Sequence, residues 1–394
     1  MKVAYILRSF PSVSETFITD EIVAVMRQGI DCHVISLLRP RRQPHHEHAE
    51  AILKAGRVSY LGTGGLLGKY RSLFGYAVSH PIRVFRSMKH VELTGSFRRH
   101  AWVTPALCAE IDRYGPDLLH AHYANLPGEC AWAAHRTTGI PFAVTTHGHD
   151  VFFYPPDDYR GLAEAAEAVV CVSEFNRRYL SSRFGVPYDK LRVIHCGVDL
   201  KAFTAPYRPA GGANGLLKIL CVARLTPVKG HRYVLEALRL LRQDGIASEL
   251  VLVGDGPLRK ELEEYAAELG VTSAVRFRGA LLREEVLSLL RECHLFVLPS
   301  LSEAMPISLM EAMACRVPVI ATAVHGVPEL VVDKVTGLLV PVKSPEAIVE
   351  SVRWVMDHPA EVEQMVERGR AKVAAEFERE KCAQQLTALW RDIV

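Results

Sequence analysis

The chain has 394 residues, 49% hydrophobic and 23% charged, a formal net charge of +3 and nine scattered cysteines. That length divides most naturally into two domains with good cores, and a balance so close to neutral gives no argument for nucleic acid. No stretch reaches the roughly 18 apolar residues of a membrane span, and the cysteines lack zinc-type pairing, so Cys171, Cys221 and Cys293 read as small core residues of a cytosolic enzyme.

The apolar run at 3–7 is too short for a secretory leader and predicts a first strand. Arg8-Ser9-Phe10-Pro11-Ser12-Val13-Ser14-Glu15-Thr16-Phe17-Ile18 follows, and a helix is expected from there to about Gln28, with Gly29 as its stop. Ser12 and Glu15 have the spacing of a capping box, with Ser14 a competing cap. A second strand is predicted at 32–37. After it come Arg39-Pro40-Arg41-Arg42 and a cluster of His45, His46 and His48 that reads as a solvated loop rather than a metal tract.

Between 69 and 100, seven cations (Lys69, Arg71, Arg83, Arg86, Lys89, Arg98 and Arg99) mix with large apolar residues against one acid, Glu92. Such a segment either lies on an anionic membrane or meets a lipid-pyrophosphate acceptor, or else forms core-facing helices with cationic outer faces; amphipathicity alone does not separate the two.

Two histidine clusters stand at apparent strand ends: Leu118-Leu119-His120-Ala121-His122-Tyr123 and Thr145-Thr146-His147-Gly148-His149-Asp150. Carboxyl ends of parallel strands are where open α/β sheets bind ligands, so both clusters are expected at one crevice. Strands at 168–172 and 191–194 flank a helix reaching about Phe184; the segment 206–215, rich in proline and glycine, reads as the linker.

The second half opens with an apolar strand at 217–223, followed by Arg224 and by Lys229-Gly230 at a helix start. A guanidinium and an ammonium beside a helix amino terminus make a diphosphate clamp, the first supplying geometry and the second point charge. The strand at 250–253 and its Gly254-Asp255-Gly256-Pro257 turn lack the third glycine of a dinucleotide fingerprint, which removes the dehydrogenase reading. Another strand is expected at 274–279.

The most informative stretch runs from Leu295 to Val340: an apolar strand stopped by Pro299, a loop, a helix starting near 307–309, and a second buried strand at 317–321. Glu303 and Glu311 bracket the helix start, where free backbone N–H groups favour a phosphate while carboxylates accept from sugar hydroxyls. Two further helices are predicted at 345–356 and 360–389.

Glu303 and Glu311, eight residues apart, with Pro318-Val319-Ile320-Ala321-Thr322 after them, resemble the Glu-x7-Glu signature of the retaining glycosyltransferases of family 4, and the likeness covers nearly the whole chain. It implies an α/β protein of the GT-B fold: two Rossmann-like doubly wound domains facing a cleft, with a carboxyl-terminal helix crossing back to the first. By the same resemblance Glu303 contacts donor-sugar hydroxyls, Glu311 holds the nucleotide ribose, and Ala304, Met305, Ile307 and Ser308 line the donor site. Arg224 and Lys229 then hold the donor diphosphate, while Arg278 and Gly279 line the base pocket. His147 sits near the donor sugar, and Asp150 is a candidate to orient the acceptor hydroxyl or its neighbours. His195-Cys196-Gly197-Val198-Asp199 resembles the family's Asn-Gly-Val-Asp exit from its first domain.

The Phe-Pro-Ser-x-Ser-Glu-Thr-Phe segment is similar to a subgroup linked to bacterial exopolysaccharide assembly, which places Ser12, Ser14, Glu15 and Thr16, with His122, along the cleft. The histidine clusters match strand-end motifs that hold no metal. One departure stands out: Arg316 occupies a position where family members usually carry glycine.

The reading is therefore a metal-independent hexosyltransferase with an acceptor-binding domain at 1–200, a nucleotide-sugar domain at 201–375 and a returning helix at 376–394. It takes a UDP- or GDP-sugar as substrate, needs no cofactor, serves a glycan or lipid-linked acceptor, and works in the cytosol or at the inner face of a membrane. A nucleotide-sugar epimerase of the same fold and a non-catalytic sugar-nucleotide sensor are the alternatives.

Overall fold

A computed structural model describes residues 1–12, 15–40, 47–61, 75, 78–81, 103–210 and 215–394. Ser14, His45, His46 and all of 69–100 except 75 and 78–81 lie outside the described residues. The chain divides into two compact units: Met1–His195 with Glu380–Val394, and Cys196–Arg379.

The first unit holds a seven-stranded parallel sheet built from β1 (Lys2–Ser9), β2 (Asp31–Leu38), β3 (Val58–Tyr60), β4 (Leu118–His122), β5 (Phe142–Thr146), β6 (Ala168–Cys171) and β7 (Leu191–Val193). Its order is β3-β2-β1-β4-β5-β6-β7. Parallel strands need crossover helices on both faces, and the pleat of β1 shows the result: Ala4 and Ile6 join one core cluster, while Val3, Tyr5 and Leu7 join the other. Leu107 and Ile111 from helix Thr104–Tyr114, with Trp132 from helix Leu126–Thr138, cover the first face. Ile18, Ile22 and Val25 from helix Thr16–Arg27 cover the second, together with Leu386 and Trp390 from the final helix.

The second unit repeats the plan with six parallel strands, β8 (Leu217–Val222), β9 (Ser248–Val253), β10 (Val275–Gly279), β11 (Leu295–Leu298), β12 (Val319–Thr322) and β13 (Leu338–Val340), ordered β10-β9-β8-β11-β12-β13. Strand order reverses between β1 and β4 in one sheet and between β8 and β11 in the other. At such switch points the connections leave toward opposite faces and open a crevice at the carboxyl ends. The two units are thus doubly wound Rossmann-like layers, as expected.

Three sequence expectations change. The capping box does not form: Glu15 is the N-cap of helix Thr16–Arg27 and makes no side-chain cap bond, its carboxylate instead accepting from Tyr123 Oη at 3.0 Å. The single helix expected at 360–389 is two, Pro359–Glu376 and Arg379–Ile393. The break arises because residues 377–379 pair with the segment leaving the first unit: Val198 N–H donates to Phe377 O (2.8 Å) and Arg379 N–H to Val198 O (3.0 Å). Gly197 is needed there, since a Cβ on it would lie 2.4 Å from Arg379 Cα. Two short edge strands, β3 and β13, have no counterpart in the sequence reading.

Eight of the nine cysteines are buried, and no disulfide joins any two of them. Burial pushes the thiols of Cys171, Cys221 and Cys293 up to about 12, as befits core residues. Among the described residues no helix is long and apolar enough to cross a membrane.

Arg316 adopts φ 56°, the left-handed conformation that glycine accepts without strain. Its guanidinium offsets that strain, with Nε donating to Glu367 Oε1 at 2.5 Å and Nη1 to Ala205 O at 3.2 Å. Arg316→Ala keeps the strained backbone and loses both bonds, whereas Arg316→Gly loses the bonds and the strain together. Urea melts are expected to rank the alanine variant below the glycine variant by about 1 kcal/mol; the reverse order would show that the backbone at 316 is not strained.

Candidate active site

In the second unit, side chains converge where β8 and β11 end. The connection after β8 runs through Arg224 to a short turn, Pro227–Lys229, and Gly230 then caps helix His231–Gln243. Gly230 has φ 64°, and a Cβ on it would stand 2.1 Å from Pro299 O. Only glycine lets this loop press against the one that follows β11, and Leu301 N–H donating to Val228 O at 2.7 Å ties the two.

That contact sets the central group. Lys229 Nζ lies 2.5 Å from Glu303 Oε1, with both side chains largely buried, and Ser300 Oγ donates to the same oxygen at 2.7 Å. One carboxylate oxygen is thereby fully engaged, while Oε2 has no partner among the described residues and stays available to accept. An ammonium has three N–H donors, so Lys229 can hold Glu303 and still face an anion. Thr322 Oγ1 bonds Ser300 O, and Gly326 N–H donates to Glu303 O at 3.2 Å, so β12 and the turn after it brace the loop.

Ala304 and Met305 are buried beneath the same loop, and helix Ile307–Ala314 starts directly after it with Ile307 and Ser308 half-exposed. The first N–H groups of that helix have no partner within it, and no acidic residue occupies its first turn. Glu311 follows one turn on, half-buried. Arg224 is exposed, and its guanidinium has no partner among the described residues. Its loop continues to β10 through Leu225 N–H to Asp255 O (3.0 Å) and Gly254 N–H to Gly279 O (2.8 Å). Arg278 and Gly279 therefore belong to the same carboxyl edge as Arg224.

In the first unit the histidines meet as the strand order demands. His122 ends β4 and His147 follows β5, with His122 Nδ1 3.0 Å from His147 Nε2. On its other side His122 Nε2 lies 3.0 Å from Glu21 Oε1, which also accepts from Tyr5 Oη at 3.0 Å. His147 is held between the rings of Phe17 (5.0 Å) and Tyr123 (4.6 Å). Burial pushes His147 well below the usual imidazole range, so it is neutral at pH 7. Half-buried Glu15 and Thr16 begin the helix that also carries Glu21, and Ser12 is half-buried in the turn before it.

Glu21, His120 and His122 bring possible metal-ligand atoms within 4.8 Å of one another. His122, however, spends both ring nitrogens on Glu21 and His147, and His120 Nε2 is 3.0 Å from Thr145 Oγ1. The arrangement is that of a hydrogen-bond chain.

Asp150 is bonded to the backbone. Its side chain is fully buried, and its two oxygens accept from the backbone N–H groups of Ala124 (2.7 Å) and His147 (2.8 Å). These bonds fix the turns that carry Tyr123 and His147. Glu21, Tyr5, Ser300 and His325 were not singled out from sequence. For Glu21 a signal existed, since it falls four residues after Phe17 and beside Ile18, Ile22 and Val25, an acid on the helix face that packs inward. Ser300 and His325 carry no such pattern; His325 Nδ1 lies 3.1 Å from Ser302 Oγ.

Residues 14–202 match the family model of Glycosyltransferase Family 4 and residues 207–372 that of Glycosyl transferases group 1. WcaL of Salmonella typhimurium, a glycosyltransferase named for colanic acid biosynthesis, is 28% identical over 100% of both chains. The alpha-D-kanosaminyltransferase of Streptomyces kanamyceticus is 31% identical over 70% of this chain and 77% of that one. Among solved structures, Anabaena HepE in complex with UDP-glucose superposes with a TM-score of 0.76 over 100% of both chains at 18% identity, a likeness of fold.

Burial raises the Asp150 carboxyl to about 7 against the pull of its two backbone N–H donors. The folded chain thus binds this proton more tightly than an unfolded aspartate, whose pKa is about 3.9. The stability this site contributes is full below about pH 4 and is lost as the pH rises to about 7. The unfolding free energy of wild type relative to Asp150→Asn is therefore expected to fall between pH 4 and pH 7 in urea melts; a rise across that window would contradict the assignment.

Proposed function

Since the chain belongs to glycosyltransferase family 4 and is a glycosyltransferase of the GT-B fold, we propose that it moves a sugar, with retention, from a nucleotide-diphosphate sugar to a hydroxyl of a glycan or lipid-linked acceptor in surface-polysaccharide assembly. The observation that carries the donor side is the 2.5 Å contact of Lys229 with Glu303 at the switch point of the second sheet. HepE, which shares the fold, was seen with UDP-glucose, and WcaL is named for polysaccharide biosynthesis; both support the reading.

In this proposal the donor diphosphate lies against Lys229, Arg224 and the start of helix Ile307–Ala314, a cationic surround that takes up the charge developing on the leaving phosphate. Glu303 Oε2 accepts from the sugar, Glu311 from the ribose, and the backbone near Arg278 and Gly279 meets the base. Glu303 Oε1 is committed to Lys229 and Ser300, which disfavours Glu303 as a nucleophile. The bond from the anomeric carbon to phosphate breaks, the acceptor oxygen bonds that carbon on the same face, and the acceptor proton passes to the departing phosphate oxygen. His147, in the first unit, is a candidate to accept from a sugar hydroxyl. The nucleotide sugar is a substrate, and no cofactor enters. The epimerase and sensor readings gain no support from the matches of either half.

A panel of UDP- and GDP-sugars screened by thermal shift, followed by nucleotide release with and without lipid-linked acceptors, tests this reading. Lys229→Ala and Glu311→Ala are each expected to lower donor turnover about a hundredfold while EDTA leaves it intact. Undiminished turnover by Lys229→Ala would remove the diphosphate clamp, and acceptor-independent sugar interconversion would make the chain an epimerase. For the 69–100 segment, whose cations outnumber its acids, the proposal adds peripheral contact with anionic membrane. Co-sedimentation with phosphatidylglycerol vesicles that weakens as salt rises is the expected result; equal recovery on neutral vesicles would refute it.

A further inference from the structure

We propose that Glu21 is a positioning residue for the transfer: through His122 it fixes His147 as the Nε2–H tautomer, so that the nitrogen left open to a bound sugar is Nδ1, an acceptor. The inference rests on the reading just given only in placing a sugar at His147; the hydrogen-bond chain itself follows from the first unit alone.

The polarity of the chain can be worked out link by link. A carboxylate only accepts, and Glu21 Oε1 already receives Tyr5 Oη at 3.0 Å. Burial, with the Glu21 charge beside it, raises Tyr5 well above the usual phenol range, so Tyr5 keeps its proton and donates. His122 Nε2, 3.0 Å from the same oxygen, must therefore carry a proton. We infer that His122 is a neutral imidazole whose other nitrogen holds a lone pair, so that His122 Nδ1 accepts across its 3.0 Å contact with His147; an imidazolium signal from His122 in the spectra below would overturn the proposal. His147 Nε2 supplies that proton, and its Nδ1 is left with a lone pair and no partner among the described residues.

Turning the ring over would break its 3.0 Å contact with His122. Its main-chain N–H is held by Asp150, Phe17 and Tyr123 flank it, and its plane lies within 16° of that of His122. Burial disfavours its protonated form, so a neutral ring with one defined acceptor is what a hydroxyl meets. A sugar hydroxyl can donate to such a nitrogen, whereas an Nδ1–H would face it as a competing donor. Glu21 thus acts at a distance, by choosing which end of His147 carries hydrogen, and the chemistry it serves is recognition of a sugar hydroxyl through its proton.

The full chain labelled with 15N-histidine gives the test, because long-range proton–nitrogen correlation spectra distinguish the two tautomers without any donor present. His122 and His147 are both expected as the Nε2–H form in wild type. Glu21→Met, of similar volume and without an acceptor, is expected to release His147 into a mixture. Glu21→Gln, whose side-chain carbonyl still accepts, retains the single form, and melting curves of both variants confirm that the first unit is folded. With the nucleotide sugar selected by the panel, Glu21→Met should lower kcat/KM about tenfold, Glu21→Gln less, and Glu21→Met should cost nothing further in a His147→Ala background. An Nδ1–H tautomer of His147 in wild type, an unchanged tautomer in Glu21→Met, or equal losses in both backgrounds would each overturn the proposal. If the tautomers behave as stated while no nucleotide sugar is consumed, the hydrogen-bond chain stands and the transfer reading falls.

Discussion

A parallel strand covered on both faces leaves its polar side chains one outlet, the loop at its carboxyl end, and both sheets of this protein obey that constraint. β4, β5 and β11 are buried along their whole length. The groups that can do chemistry are accordingly pushed to positions such as His147 after β5, Arg224 after β8 and Glu303 after β11. The reversal of strand order then decides which loops become neighbours. Lys229 and Glu303 are 74 residues apart in the chain and 2.5 Å apart in space because β8 and β11 are adjacent. His122 and His147 meet because β4 pairs with β5.

The two sites solve opposite electrostatic problems. In the second unit a cation and an anion share a largely buried loop, and each limits the cost of burying the other. The free helix start beside them keeps an excess of positive potential for a phosphate. In the first unit the imidazoles are buried where charging them is unfavourable: burial holds His120 and His147 well below their usual range. In the arrangement proposed above, the direction of the chain is set by one acid at its end. On the proposed reading, charge would select the anion in one place and hydrogen-bond direction the hydroxyl in the other.

Much of this was legible in the sequence, and the gaps have physical causes. Apolar runs ending at proline or polar clusters marked the buried strands, because a strand covered on both faces cannot alternate. Glu303, Glu311, Arg224 and Lys229 were visible because charge beside a helix start is chemically expressive. β3 and β13 escaped because three residues at a sheet edge are too few for a period to appear. The break at Phe377 escaped because its cause is a strand-like bridge to Val198, about 180 residues earlier in the chain, which no local propensity records. The backbone bonds of Asp150 were not legible because a carboxylate at a strand end looks alike whether it serves a ligand or the backbone. Glu21 was hidden for the converse reason: an acid on a helix reads as surface until the helix is seen to turn that face inward.

The carboxyl-terminal helix gives the fold an order in time. Trp390 is fully buried, 5.8 Å from the Tyr5 ring and 5.0 Å from that of His120, so it closes the layer beneath the histidine chain. Yet Glu380–Val394 is translated only after every residue of the other unit. A nascent first unit, made before the second, thus holds Tyr5 and His120 on an open apolar face until Glu380–Val394 emerges. The histidine apparatus is completed only after the whole of the second unit has been synthesised.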